Sequence, residues 1–158
     1  MFHIVLVTPE IPHNAGAAGR LALATGATLH LVRPLGFSLD DKHVRRTGLD
    51  YWHQVDLRVW DDFEALRDAA DPAASFWFLS TKAQASPWQA AFQPGDYLVF
   101  GCETRGLPES LLHAAADHTL CIPMQPGGTR SLNLSTSVAI VLYEALRQQN
   151  PQWSRAAF

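Results

Sequence analysis

A segment near the end of the chain, residues 122–137, carries side chains and backbone groups suited to holding a ligand. It begins as a loop rich in Pro and Gly and continues into Ser, Thr and Asn residues. The polar side chains of Ser131, Asn133 and Ser135 bracket the start of an apolar stretch that begins at Val138. Capping of a helix accounts for one of these three residues and leaves the others available to a ligand. The segment therefore predicts a ligand site beside a buried helix.

A second segment, residues 101–108, places Glu103 and Arg105 in a turn that is bracketed by glycines. Glycine lets a backbone approach a ligand because it has no Cβ in the way. This pattern favours a binding turn. The alternative is a tight connection in which Glu103 only neutralises a neighbouring arginine.

The third segment, residues 14–20, combines Asn14 with small residues and ends at Arg20. It has neither the dinucleotide-binding GxGxxG pattern nor the Walker spacing, so the small residues favour close packing over phosphate binding. Arg20 follows Asn14 at near-helical spacing, and we expect it near the face of the helix's first turn. A surface salt bridge is the alternative interpretation of Arg20.

Composition limits the class of protein. The chain has 158 residues with a formal net charge of −3, which fits one α/β domain and argues against indiscriminate binding of nucleic acid. No apolar run approaches the ~20 residues needed to cross a bilayer, and the first residues look like a strand rather than a signal peptide. We therefore expect a soluble, cytoplasmic protein in which Cys102 and Cys121 are thiols rather than a disulfide.

Short apolar runs bounded by turn residues alternate with helical patterns along the whole chain. Strands are predicted at 4–8, 28–33, 55–60, 75–80, 97–101 and 119–122, and helices at 15–25, 40–47, 61–70, 108–115 and 134–149. Asn14 is predicted to cap the first helix, Asp61 or Asp62 the third, and Pro108 to lie in the first turn of the fourth. The last helix is apolar nearly all round and belongs to the core or to a subunit interface.

This alternation predicts a mostly parallel sheet with helices on both faces, and ligands of such sheets bind beyond the carboxyl ends of the strands. The three polar segments all follow predicted strands. We expect them to meet on one rim.

Together the three segments resemble the motifs of the SPOUT RNA methyltransferases, in order and in spacing. The matching stretches are residues 9–20, residues 100–108 and residues 122–135. Residues 36–37, 40–42 and 45–51 further resemble the single-domain tRNA (cytidine/uridine-34) 2′-O-methyltransferases. The resemblance covers essentially all of residues 1–158.

The resemblance implies a C-terminal deep trefoil knot, a homodimer, and S-adenosylmethionine as cofactor with no metal. It implies cofactor contacts at Leu79, Gly101, Ile122 and Ser131. It implies catalytic roles for Arg20, Glu103 and Asn133. Arginine has a pKa above ~12 and is a poor base, so Arg20 is interpreted as a clamp on phosphate or hydroxyl. Glu103 is either a proton acceptor or a residue that orients Arg20.

The implied substrate is the wobble nucleotide of tRNA, recognised locally on the anticodon stem-loop. The predicted RNA contacts are Asn14, Lys42, Arg45, Arg46, Arg105, Arg130 and Tyr143, the last from the second subunit. Two alternatives remain at this point. The protein could methylate ribosomal RNA, or it could be an RNA-binding protein that has lost methyl transfer.

Overall fold

The computed structural model describes residues 1–39 and 49–151. Within them, six strands form one sheet in the order β3-β2-β1-β5-β4-β6, and every described pairing is parallel. The strands are β1 (His3–Val7), β2 (Thr28–Val32), β3 (Leu57–Trp60), β4 (Phe76–Leu79), β5 (Tyr97–Phe100) and β6 (Thr119–Leu120). All six predicted strands and the parallel sheet are confirmed, with small shifts at the strand ends.

The described residues also form four α-helices: α1 (Pro12–Thr25), α2 (Phe63–Ala69) and α3 (Glu109–Ala114) lie between strands, and α4 (Leu134–Gln149) follows β6. Short 3-10 helices lie at Leu49–Gln54, Pro87–Gln89 and Ala116–His118. The predicted helix over residues 40–47 lies outside the described residues.

The helix starts confirm one predicted cap and correct two. Asp62 caps α2, and its Oδ1 accepts a hydrogen bond from the Ala65 amide at 2.8 Å. Asn14 is not a cap, because α1 begins earlier, at Pro12, where proline loses no helical hydrogen bond. Pro108 lies just before α3 rather than inside its first turn.

The helices cover both faces of the sheet, as predicted. On one face α1 and α4 pack over a buried cluster that includes Ile4, Leu31 and Val138. On the other face α2 and α3 cover a second cluster that includes Val5 and Val99. Successive residues of a strand point to opposite faces, so β1 contributes alternately to the two clusters.

The sequence left open whether α4 belongs to the core or to a subunit interface, and the structure places one face of α4 in the core. Val138, Val141, Leu142 and Ala145 are fully buried, whereas Tyr143 is 48% exposed. The helix therefore buries one face in the core. Its last turn also holds the loop before β5, since Gln148 Oε1 accepts from the Phe92 amide at 3.1 Å and Gln149 Nε2 donates to the Phe92 carbonyl.

At the β6 edge of the sheet, the chain that follows β4 is hydrogen-bonded to β6 and to the residue after it. The Ser80 amide donates to the Leu120 carbonyl at 2.9 Å, and the Cys121 amide donates to the Ala85 carbonyl at 2.7 Å. After β6 the chain leaves this edge, and α4 packs against α1 and β5. The trefoil knot fits such a return path and stays a prediction.

Candidate functional site

A cavity of about 650 Å³ opens at the carboxyl ends of β4, β5 and β6, which is the rim that the sequence predicted. Its volume lies in the range of small-molecule sites. Among the predicted site residues, those that line it are Asn14, Leu79, Gly101, Glu103, Arg105, Ile122, Arg130, Ser131 and Asn133. The structure thus brings the three polar segments together.

Glu103 joins the loop after β5 to the loop after β1. Its Oε2 accepts from the Glu10 amide at 2.8 Å, and its Oε1 accepts from the Ile11 amide at 3.1 Å and from Asn14 Nδ2 at 2.9 Å. These donors are backbone and side-chain amides rather than an arginine. Both carboxylate oxygens are therefore held by fixed neighbours, an arrangement suited to positioning.

Asn14 and Asn133 continue this network to the third loop. Asn133 Nδ2 donates to Asn14 Oδ1 at 3.0 Å. Asn133 Oδ1 caps α4 and accepts from the amides of Ser135 and Thr136 at 2.9 and 3.3 Å and from Ser135 Oγ at 2.7 Å. One chain of hydrogen bonds consequently runs from Glu103 through Asn14 to the start of α4.

The turn after β5 approaches the cavity with its backbone. A Cβ at Gly101 would lie 2.0 Å from the Gly106 carbonyl carbon and 2.1 Å from the Leu107 nitrogen, so only glycine fits there. Gly106 itself has φ 71° and donates from its amide to the Cys102 carbonyl at 2.9 Å. The glycine bracket seen in the sequence is a closed turn.

The cavity lining also contains apolar and charged side chains. Leu79, Ile122 and Met124 are among the apolar ones. At the rim Lys82 Nζ lies 2.6 Å from Glu109 Oε1, and the hydrogen bond from Lys82 is the main cause that lowers the pKa of Glu109.

Several predicted residues lie elsewhere. Arg20 is exposed on α1 and does not line the cavity, whereas Asn14 is buried. The expected helical spacing between Asn14 and Arg20 is wrong, because six residues rotate the helix by about 600°, which leaves the two side chains about 120° apart; Arg20 lies instead close to the face of His13, seven residues earlier in the first turn. Tyr143 is exposed on α4 and is also outside the cavity lining. Lys42, Arg45 and Arg46 lie outside the described residues.

Sequence reasoning missed Glu10 and Thr104. Glu10 Oε1 accepts from Thr104 Oγ1 at 2.9 Å, and Glu10 Oε2 accepts from the Thr104 amide at 3.1 Å. The available signal was that each residue lies within three positions of the end of a predicted strand. Lys82, Glu109 and Met124 were also missed.

Three further observations concern the described part of the chain. None of its helices is long and apolar enough to cross a membrane. Residues 1–39 and 49–151 contain no group of three or more His, Cys, Asp or Glu side chains arranged to hold a metal. Cys102 is buried, Cys121 is half-buried, and both are free thiols.

Comparison with known proteins gives consistent matches over nearly the whole chain. The model of the SpoU rRNA Methylase family matches residues 1–143. The chain is 51% identical over 152 residues to a tRNA (cytidine(34)-2'-O)-methyltransferase of Burkholderia pseudomallei, covering 94% of this chain and 96% of that protein. It is 46% identical over 149 residues to the protein of the same name from Escherichia coli K12, covering 94% of each.

Solved structures agree with these matches. One, described as giving insights into 2-OH methylation of C/U34 on tRNA, has a TM-score of 0.91 and 50% identity, with 96% of this chain and 97% of that chain covered. The SpoU methyltransferase AviRb from Streptomyces viridochromogenes, solved with AdoMet, has a TM-score of 0.76 and 27% identity, with 93% of this chain and 57% of that chain covered. The chain therefore belongs to the SpoU methylase family.

Proposed function

We propose that this protein transfers a methyl group from S-adenosylmethionine to the 2′-oxygen of the wobble nucleotide of tRNA, cytidine 34 or a modified uridine 34. The observation that carries the proposal is the hydrogen-bonded chain from Glu103 through Asn14 to Asn133, which joins three loops around one cavity. The names of the relatives at 51% and 46% identity support tRNA as the substrate.

The residues around the cavity fit the methyl donor. The apolar side chains of Leu79, Ile122 and Met124 suit the flat adenine, and the turn at Gly101 lets backbone groups approach it. We infer that Leu79, Gly101, Ile122 and Ser131 hold the donor. When bound, the donor supplies an electrophilic methyl group on a sulfonium sulfur.

The chain's own residues would orient the ribose for direct displacement. Orientation of two reactants supplies several kcal/mol, up to ~7–11 kcal/mol in ideal cases. Because both carboxylate oxygens of Glu103 accept from fixed amides, we propose that Glu103 positions the site rather than accepting the ribose proton. We propose that Asn133 has the same positioning role, because its side chain joins Asn14 to the start of α4.

Cationic residues at and beyond the rim would bind the RNA. Arg105 and Arg130 line the cavity and are exposed, which suits contacts to phosphates. We propose Arg20 as a clamp on phosphate or hydroxyl, and that the RNA reaches it by lying across α1. Lys42, Arg45 and Arg46 remain proposed phosphate contacts on their charge alone.

We further infer a homodimer in which Tyr143 of the partner subunit contacts the RNA. Leu23 on α1 and Tyr143 on α4 are exposed on the two helices that cover the same face of the sheet. Light scattering on the purified protein should give twice the chain mass of 17.4 kDa. We also infer that residues 1–158 form one methyltransferase domain that acts in the cytoplasm.

The test is incubation with labelled S-adenosylmethionine and total tRNA, followed by mapping of the nucleotide that resists alkaline hydrolysis. We expect the label at position 34. Arg20→Ala should abolish transfer at saturating donor yet bind the donor normally, whereas Arg67→Ala, which changes an exposed arginine on α2, should leave transfer unchanged.

Two results would contradict the proposal. Label in ribosomal RNA alone would favour the second candidate function, which the rRNA in the family's description supports. Donor binding without transfer to any RNA would indicate a protein that binds RNA but no longer methylates it.

A further inference from the structure

Two glutamates connect the loop after β1 with the loop after β5 in opposite directions. The Glu10 side chain accepts from the Thr104 amide and hydroxyl at 3.1 and 2.9 Å. In return, the Glu103 side chain accepts from the Glu10 amide at 2.8 Å. Each loop thus supplies a carboxylate that holds the backbone of the other loop. We call these bonds the reciprocal clamp.

The sheet and a third loop fix Glu10 in place. Strands β1 and β5 are parallel neighbours, so the loops that follow them leave the same edge side by side. On the other side of Glu10, the Gly36 amide donates to the Pro9 carbonyl at 2.9 Å. A Cβ at position 36 would lie 2.7 Å from the Glu10 Cα and carbonyl oxygen, so Gly36 packs directly on the Glu10 backbone. The carboxylate is therefore presented from a rigid support.

The clamp acts on the wall of the cavity. Thr104 and Glu103 line the cavity, and both belong to the closed turn that begins at Gly101. Glu10 does not line the cavity, and its side chain reaches the lining through its two hydrogen bonds with Thr104. Thr104 is exposed, and both its amide and its hydroxyl donate to the Glu10 carboxylate.

We infer that Glu10 is a positioning residue that, through Thr104, fixes the turn after β5 in the shape that binds the methyl donor; this inference rests on the proposed function. If Glu10 had only a structural role, removing its side chain would lower the free energy of unfolding and leave the donor affinity of the folded protein unchanged. If Glu10 positions the turn, removing its side chain lowers the donor affinity and changes the free energy of unfolding little, because bonds at an exposed turn contribute little to global stability.

The experiment measures S-adenosylmethionine binding by calorimetry on the full chain without RNA, together with urea unfolding and steady-state methyl transfer to tRNA. Glu10→Ala should raise the Kd for the donor about tenfold, the size of one charge-assisted hydrogen bond, and raise the KM for the donor in parallel. Glu10→Gln should recover most of the affinity, because its amide oxygen still accepts from the Thr104 amide. Glu64→Ala removes an exposed carboxylate on α2 and should change nothing in donor binding.

A double-mutant cycle tests the route through Thr104. Thr104→Val keeps the backbone amide, so alone it should raise the Kd about threefold. Added to Glu10→Ala, it should raise the Kd no further, because its partner is already gone. Equal effects of Thr104→Val in both backgrounds would overturn the inference, as would a folded Glu10→Ala protein with the wild-type Kd.

The outcomes separate this inference from the proposed function. A wild-type protein that binds the donor but methylates no tRNA contradicts the proposed function, and the Glu10 variants still test the clamp. A wild-type protein that methylates tRNA while Glu10→Ala binds the donor normally contradicts only the clamp. Absence of donor binding by the wild type would overturn both.

Discussion

The stability of this protein should fall steeply between pH 6.5 and pH 5 because of a buried histidine, His30. Trp60 Nε1 donates to His30 Nδ1 at 2.9 Å, and His30 Nε2 lies 3.0 Å from His3 Nδ1. An indole N–H can only donate, so His30 Nδ1 must be unprotonated and the single proton of the neutral ring lies on Nε2. A second proton would place two N–H groups against each other.

Burial and charge act in the same direction as this geometry. His30 is 1% exposed. Desolvation, followed by His3 and Arg58, lowers the pKa of His30 from 6.5 to about 3, against a smaller opposing effect of Asp56. Burial, with Arg58 next, also lowers the pKa of His3.

The sign of the effect follows from proton uptake. Above pH 6.5 His30 is neutral in both folded and unfolded chains and contributes no pH dependence. Below pH 6.5 the unfolded chain binds a proton that the folded chain does not, so the free energy of unfolding decreases as the pH falls. The slope is about half of its limit at pH 6.5 and approaches about 1.4 kcal/mol per pH unit below it, which gives a loss of about 2 kcal/mol between pH 7 and pH 5 from His30 alone.

Urea unfolding at pH 7 and pH 5 checks this expectation. His30→Asn removes the titrating ring but offers Trp60 an amide oxygen as acceptor, so it should be less stable at pH 7 and lose less stability on acidification. His53→Asn changes an exposed histidine and should keep the wild-type loss. An equal loss of free energy in the wild type and in His30→Asn would refute the reasoning.

Two glycine substitutions test close packing elsewhere. A Cβ at Gly19 would lie 2.4 Å from Trp52 Cζ3. Gly19→Ala should therefore lower the free energy of unfolding, measured in urea, by about 1–3 kcal/mol, and adding Trp52→Leu should recover part of that loss. Additive losses in the double variant would contradict the contact. Gly101→Ala should abolish donor binding in calorimetry, because its Cβ would meet backbone rather than a side chain that can move; retained affinity would show that the turn can open.

The strands and the rim could be predicted because they depend on local patterns. Apolar runs such as Tyr97–Phe100 are short and bounded by turn residues, and parallel strands place the loops that follow them at one edge. The lining of the cavity by Asn14, Glu103 and Asn133 follows from that geometry. The order of the strands could not be predicted in this way, because no local pattern shows that β1 lies beside β5. The contact between Glu10 and Thr104 depends on that order and was missed.

Two errors have different origins. Asn14 was predicted as a cap because asparagine favours that position, but Pro12 starts the helix earlier and the Asn14 side chain is used by Glu103 and Asn133 instead. The error in placing Arg20 relative to Asn14 could have been avoided from the sequence, since counting the six residues between them gives the rotation around the helix. The contacts among His3, His30 and Trp60 join three different strands, so no local pattern could predict them.

Helix α4 gives the cavity a remote attachment point. Its 16 residues span about 24 Å, with Asn133 at the cavity end and Gln148 and Gln149 gripping Phe92 at the other. The gripped loop begins with Ser80, Thr81 and Lys82, which also line the cavity. The two ends of α4 are therefore attached to two different parts of the cavity lining, one directly through Asn133 and the other through the loop that contains Phe92.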